Sequence, residues 1–450
     1  MSGNKYWLKN GIINLFQNGL TVLFGFLSFY ALVRVLNKEE YGTWVLFLSV
    51  VSIVEMARNG LTQEALVKFL SVANRSDERK IVTGAFIINM VMTILISVAV
   101  IVIGPVLSSS WKAVEITEML NLYIVVFFVS GILNQLNCIE QANLRFTGIF
   151  YSNISRQLVF FAYILYCYLF KVPTNVVLLT YVQIISIVVA TIIAVLFTYK
   201  NVHFTKKIDV PWIKKIIHFG KYTFGISLST VLSGSIDQMM LGSMLSKAAS
   251  GSYNIAVRIT NLTDIPTNAM GAIVYPQMSR LDNGHQQNLS SLKYVYEKSI
   301  GVILAILFPL LIFIFIFADS IIHFIASSKY EDSIPLLRVT LITCIFAPYG
   351  RQAGVILNSM NRTKFNFFIV IANAVFLIIF NYTLIRHFGV IGAAYGTLLV
   401  SIIGFVISQA YISKHYKTNI LNPWVYAWKF YPEFYKKYIN RSSKEKDNPV

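Results

Sequence analysis

GFLSFYALVRVLNKEEYGTWVLFLSVVSIVEMARNGLTQEALVK, residues 25 to 68, joins two apolar runs through a charged turn. The first run ends at Leu36, the turn from Asn37 to Gly42 is too polar for hydrocarbon, and the second run starts at Thr43. Within that second run Glu55 and Arg58 are three residues apart, hence on one helix face. An ion pair facing lipid is expensive, so the pair is expected to face protein or a water-filled cavity.

The unit returns later in the chain. Leu36, Gly42 and Trp44 recur as Leu245, Gly251 and Tyr253, each 209 residues on, and Lys38 falls on Lys247. A fixed offset of three landmarks predicts a duplicated half.

Composition sets the class. At 56% hydrophobic and 13% charged residues, with mean hydropathy +0.63, the 450-residue chain has more apolar surface than a soluble fold could bury. The expectation is an all-α, polytopic membrane protein. A net charge of +18 raises the question of nucleic acid, but the cations are scattered through short loops with no soluble domain to hold a duplex. Positive-inside sorting accounts for them better. Cys138, Cys167 and Cys344 lie in or near apolar runs without metal-ligand spacing and read as core packing.

Twelve apolar segments are predicted, near 10 to 36, 43 to 71, 80 to 107, 118 to 143, 149 to 170, 174 to 199, 216 to 245, 251 to 278, 295 to 325, 333 to 359, 364 to 386 and 389 to 413. The N-terminus lacks a small-residue cleavage site, so its first run is read as helix 1. Cations concentrate in alternate loops, at Lys68, Arg79 and Lys80, Arg145, Lys206 to Lys215, Lys293 and Arg362, while Lys112, Lys171 and Lys247 mark the poorer set. Both termini are therefore expected in the cytoplasm. The predicted parts are an N-terminal lobe at 1–200, a basic cytoplasmic linker at 201–215, a C-terminal lobe at 216–413 and a basic, aromatic cytoplasmic tail at 414–450 that rests on the headgroups. Six helices precede the linker, so the two halves share one orientation and form a parallel repeat.

Polar residues inside the spans recur at helical spacing. Helix 1 carries Asn10, Asn14, Asn18, Thr21, Gly25 and Ser28; helix 2 carries Ser52, Glu55, Asn59 and Thr62; helix 7 carries Thr223, Ser227, Thr230, Gly234 and Asp237; helix 8 carries Asn254, Arg258, Asn261, Asp264 and Asn268. Such stripes also join membrane helices without any transport role. Ions shift the balance: Glu55, Arg58, Asp237, Arg258, Asp264 and Arg351 each cost ~3 kcal/mol at depth, which favours a hydrated cleft where helices 1, 2, 7 and 8 converge. Glu55 with Arg58 and Asp237 with Arg258 are also readable as mutually neutralising pairs.

Catalytic signatures are missing. The chain has no phosphate-binding Gly-rich loop ending in Lys-Ser or Lys-Thr, its six histidines are dispersed, and no loop is long enough for a soluble catalytic domain. A transporter is expected rather than an enzyme.

Five fragments then resemble one family. ALVRVLNKEEYG from Ala31, DQMMLGSML from Asp237, SGSYNIAVRI from Ser250, YPQMSRL from Tyr275 and ILNSMNRTK from Ile356 are similar, in order, to pieces of the O-antigen and capsule flippases (Wzx-type), a branch of the multidrug, oligosaccharidyl-lipid and polysaccharide exporter superfamily. Lys38 and Glu39 replace a Gly-Pro common in relatives, and Glu55 stands where a small or polar residue is usual. The resemblance implies movement of a polyprenyl-diphosphate-linked oligosaccharide across the bacterial inner membrane, by alternating access of the two lobes. Arg58, Arg258 and Arg351 would meet the diphosphate or acidic sugars, since Arg makes bidentate phosphate contacts. Asn18, Asn254 and Asn261 would meet sugar hydroxyls. No cofactor is implied; a proton or sodium gradient coupled through Glu55, Asp237 or Asp264, or the membrane potential, would drive export. Implied partners are the lipid-linked sugar and membrane lipids, with a polysaccharide polymerase and chain-length machinery as further candidates, and no nucleic acid. A cation or drug antiporter of the same superfamily is the alternative, disfavoured by the cationic stripes; a scaffold without transport is the third class.

Overall fold

The structure is a computed structural model that describes residues 3–199, 202–205, 207–281, 289–360 and 362–435. Predicted linker positions 201 and 206 and tail residues 436–450 lie outside the described residues, as do the side chains of Asn10, Asn14 and Thr223. No strand occurs among the described residues, and the chain forms two compact units, Met1–Gly251 and Ser252–Val450.

The first unit holds α1 (Gly3–Val35), α2 (Lys38–Leu70), α3 (Arg75–Ser110), α4 (Glu115–Ala142), α5 (Phe146–Phe170), α6 (Val176–Thr198) and α7 (Val210–Met244). Next comes α8 (Lys247–Thr260), a 3₁₀ turn at Asn261–Thr263 and α9 (Asp264–Leu281). The second unit continues with α10 (Leu289–Ile316), α11 (Ala318–Ala326), α12 (Ser333–Ser359), α13 (Thr363–Phe388), α14 (Val390–Tyr416) and α15 (Asn422–Phe434). Among the described residues nine helices are long and apolar enough to cross a membrane: α1 to α4, α6, α10 and α12 to α14. The three other predicted spans, α5, α7 and α8 with α9, are helical, and the last is divided, leaving α8 with 14 residues. On α3, Val98, Ile101, Val102 and Val106 stand half exposed or more, an apolar face suited to lipid and not to water.

The predicted repeat is visible in the helix ends. Val35 and Met244 close α1 and α7, and Lys38 and Lys247 open α2 and α8, each pair at the 209-residue offset. Even the caps correspond. Asn37 Oδ1 accepts from the Glu40 amide at 2.9 Å, and its repeat partner Ser246 accepts through Oγ from the Ala249 amide at 3.1 Å. Glu40 returns a bond to the Asn37 amide at 3.0 Å, completing a capping box in the first copy alone. Helix 8 departs from the continuous span expected over 251 to 278. Pro266 has no amide to offer the Leu262 carbonyl, so the helix breaks into the 3₁₀ turn before α9.

Small residues then bring α2 and α7 together, antiparallel and along their length. A Cβ on Gly42 would sit 1.9 Å from the Lys247 carbonyl oxygen, one on Gly242 would sit 2.6 Å from Leu46, and one on Gly220 would sit 2.0 Å from the Leu61 carbonyl oxygen. Between these contacts Ser49 Oγ donates to Gln238 Oε1 at 2.9 Å, and the Ser52 and Ser235 hydroxyls meet at 3.3 Å. Close backbone approach with hydroxyl bonds is how membrane helices associate when hydrophobic force is absent between them. The repeat-related glycines themselves touch, a Cβ on Gly251 falling 3.2 Å from the Gly42 Cα, and Lys247 pairs with Glu39 at 3.4 Å across the same contact.

In the second unit α12 packs on α14 and α10, around Tyr296, Ile300, Leu304, Tyr349, Ile356 and Ile412. The stretch expected to rest as a tail instead forms α15 against α10. Buried Glu297 accepts from the Asn419 amide at 2.7 Å and from Asn422 Nδ2 at 2.8 Å, Tyr431 donates to the Ala305 carbonyl at 2.6 Å, and Gly301 leaves room for the Pro423 carbonyl and the Tyr426 Cβ. Cys138, Cys167 and Cys344 are free and buried.

A paired glycine test follows from the α2 and α7 contact. Gly220→Ala should lower the thermal unfolding midpoint of the detergent-solubilised protein, costing about 1–3 kcal/mol, because its methyl meets backbone. Gly234→Ala, with nothing within 4 Å, should leave the midpoint unchanged or raise it. Equal midpoints for the two variants would contradict the close approach.

Candidate functional site

In the first unit, α2 presents its ion pair to α4. Arg58 is 0% exposed; its Nη2 donates to Glu55 Oε2, its Nη1 to the Phe127 carbonyl and to Ser130 Oγ (3.1 Å), and its Nε to Asn59 Oδ1 at 3.1 Å. The guanidinium carbon stands 4.3 Å from the Phe127 ring centre. Glu55 is 22% exposed and collects three further donors: Ser130 Oγ at 2.7 Å, Tyr123 OH at 2.9 Å and Asn59 Nδ2 at 3.2 Å. Both carboxylate oxygens are thus engaged, which keeps the buried pair compensated.

Of the two surroundings expected for Arg58, protein or a water-filled cavity, the structure shows the first. The three-residue spacing does put it beside Glu55, but α3 and α4 close over it; a Cβ on Gly131 would lie 3.2 Å from Arg58 Nη1 and 2.7 Å from Asn89 Oδ1. A larger residue at 131 would require the Asn89 amide and the guanidinium to shift. Asp237, on α7, is buried next to Gln238, the residue that binds Ser49. Asn18 is exposed on α1.

The remaining candidates belong to the second unit. Arg258 Nε donates to Asn254 Oδ1 at 3.3 Å, one helical turn earlier, so these two share a face of α8. Arg351, 46% exposed on α12, lies 3.6 Å from Asp264, 42% exposed at the start of α9. Asn261 is exposed in the 3₁₀ turn that the Pro266 break creates. A cavity of about 230 Å³ also opens among α12, α13 and α14, with Asn366, Asn373, Ser401 and Ser408 on its wall. The candidates therefore fall into three groups: Glu55 with Arg58, Arg258 with Asn254, and Arg351 with Asp264.

Sequence reasoning missed Tyr123, Ser130, Asn89 and Gln135, whose Nε2 donates at 3.1 Å to Thr62 of the predicted helix 2 stripe. A signal was present. Tyr123 and Ser130 are seven apart, two turns on one face of α4, and they bracket Phe127.

Comparison with known proteins agrees with the fold. A family profile described as "Polysaccharide biosynthesis protein" matches residues 31–335. A probable low-salt glycan biosynthesis flippase, Agl15 of Haloferax volcanii, is 23% identical over 200 residues, covering 44% of this chain and 42% of that protein. The chain thus spans less than half the length of the first curated relatives it matches, 44% of one and 42% of the other. Among solved structures, a multidrug resistance MATE family transporter of the MOP superfamily, in an inward-facing conformation, aligns with TM-score 0.77 at 18% identity, over 89% of this chain and 96% of its own. The lipid II flippase MurJ, in an inward closed conformation, aligns with TM-score 0.75 at 12% identity, over 96% and 100%. At those identities the likeness is one of fold.

The buried pair gives a stability test. Arg58→Gln should destabilise by about 3 kcal/mol, because the Glu55 carboxylate loses its counter-charge inside the unit. Adding Glu55→Gln should restore more than half of the lost unfolding midpoint. A double variant no more stable than Arg58→Gln alone would show that the two charges do not support one another.

Proposed function

The chain belongs to the polysaccharide biosynthesis protein family, and from that premise we propose that it carries a polyprenyl-diphosphate-linked oligosaccharide across the cytoplasmic membrane for surface polysaccharide assembly. The glycan crosses a hydrated path while the lipid tail stays in the bilayer. Arg258 and Arg351 are the diphosphate contacts of this reading, because a guanidinium makes bidentate phosphate contacts and Arg351, 46% exposed, meets only a carboxylate that is itself 42% exposed. Asn18, Asn254 and Asn261 serve the sugar hydroxyls. Arg58, fully enclosed, acts as a positioning residue that fixes Glu55.

The observation that carries the mechanism is the α2 and α7 seam. It is polar and small-sided, holds through two hydroxyl or amide bonds, and ends at the Gly42 and Gly251 contact between repeat-related turns. On this reading the same contact opens and closes during transport. Alternating access uses it as the moving contact, with the basic linker before α7 as the hinge. Expelling one negative charge from a negative cytoplasm gains about 2.3 kcal/mol per 100 mV, and Asp237, Asp264 or Glu55 is the acidic group for any coupled cation. On this reading both termini are cytoplasmic, and the α1 to α2 turn faces outward.

Locking the seam tests the mechanism. Ser52→Cys with Ser235→Cys replaces hydroxyls 3.3 Å apart by thiols placed to form a disulfide. Oxidation should stop surface polysaccharide export by more than tenfold, and reductant should restore it. Full export by the cross-linked protein would rule out movement at this seam.

A further inference from the structure

Where the C-terminal end of α2 meets the N-terminal end of α7, the first unit carries an open pocket of about 530 Å³ lined by Phe69, Lys214, Lys215, His218 and Phe219. Lys215 of the lining and Lys68 beside it lie against aromatic faces. Lys215 Nζ lies 4.3 Å from the Trp212 ring centre and 5.1 Å from that of Phe69, and Lys68 Nζ lies 4.1 Å from that of Phe219. Phe69 in turn meets Trp212 and Phe219 edge to face, at 5.9 and 5.6 Å, so the aromatic floor is one packed group. That floor rests on the buried cluster of Leu66, Leu70, Ile81, Val82 and Ile216.

The carboxylates of Asp77 and Asp209 are otherwise engaged. Asp209 caps α7 by accepting from the Trp212 amide at 3.1 Å, and Lys80 pairs with both Asp209 at 3.6 Å and Asp77 at 3.5 Å. Among the described residues Lys68, Lys214 and Lys215 have no carboxylate partner, and Lys214, Lys215 and His218 are exposed. A rigid, aromatic-floored set of ammonium groups at the end of two membrane helices is a poor fit to water alone. It suits an anion that arrives with apolar material attached.

We propose that this pocket binds the phosphate of an anionic phospholipid headgroup from the adjacent leaflet, with Lys68, Lys214 and Lys215 supplying the charge and Phe69 and Phe219 flanking the glycerol and upper acyl carbons. Juxtamembrane lysines attract anionic lipid in proportion to their number, and a built pocket adds position to that attraction. Arg258 and Arg351 belong to the other unit and are not among its residues. Its occupant is thus a structural or regulatory lipid, held at the junction of α2 and α7.

Titration of the purified full-length protein in neutral detergent with dioleoyl phosphatidylglycerol, against dioleoyl phosphatidylcholine, tests this, following the thermal unfolding midpoint. Phosphatidylglycerol should raise the midpoint saturably and phosphatidylcholine should not. Lys214→Gln with Lys215→Gln should raise the half-saturating concentration roughly thirtyfold, while the two Lys→Arg changes should keep it within a few fold. Lys214→Gln alone, whose side chain makes no ring contact, should give a smaller weakening and guards against loss of fold. Equal effects of the two lipids, or an unchanged titration in the Gln variants, would overturn the proposal. Sodium pyrophosphate that stabilises as well as phosphatidylglycerol would also overturn it, because the site would then take a free phosphate group, such as the diphosphate of a substrate, without need of a phospholipid.

Discussion

The close antiparallel contact of α2 with α7 is the constraint on which the first unit depends. It requires Gly220 and Gly242 at two heights, since a methyl at either would meet backbone or a packed leucine within 2.6 Å, and Gly42 does the same where α2 meets the start of α8. In lipid the hydrophobic effect does not press helices together, so proximity has to come from small residues and from hydroxyl bonds such as those of Ser49 and Ser52.

Helix α2 serves two neighbours with two chemistries. Toward α7 it is small and neutral; toward α4 it holds the enclosed network of Glu55, Arg58, Tyr123 and Ser130. Charges of this kind are costly in a membrane, and their mutual satisfaction fixes the rotation of α2 about its axis. A fixed rotation is what directs Ser49 and Ser52 at α7. The ion network therefore supports the seam without taking part in it.

Much of the fold was legible because its signals are local. The turn at Leu36 and Asn37 and its copy at Leu245 and Ser246 are charged or capping stretches between apolar runs, and the 209-residue offset is visible in letters alone. Pro266 was also in view, yet the length of the apolar run outweighed it, and the break before α9 went unread. Arg58 shows the limit for sites. Periodicity says which face of α2 it occupies, but whether that face meets water or α4 depends on Tyr123, Ser130 and Gly131, some seventy residues on. For α15 the aromatic and basic composition pointed to a headgroup layer, while the partner that fixes it, buried Glu297, lies on α10 and resembles any other acidic residue in the chain.

Movement of a lipid-linked sugar is the central claim, and it is measured most directly in vesicles. The purified protein would be reconstituted with a fluorescent polyprenyl-diphosphate oligosaccharide, and the fraction reached by a membrane-impermeant quencher followed in time. The account predicts that the protein exposes the inner-leaflet pool within minutes, and that Arg258→Gln with Arg351→Gln slows this by at least tenfold at equal reconstitution. Exposure no faster than in protein-free vesicles, with several polyprenyl-linked glycans tried, would contradict it.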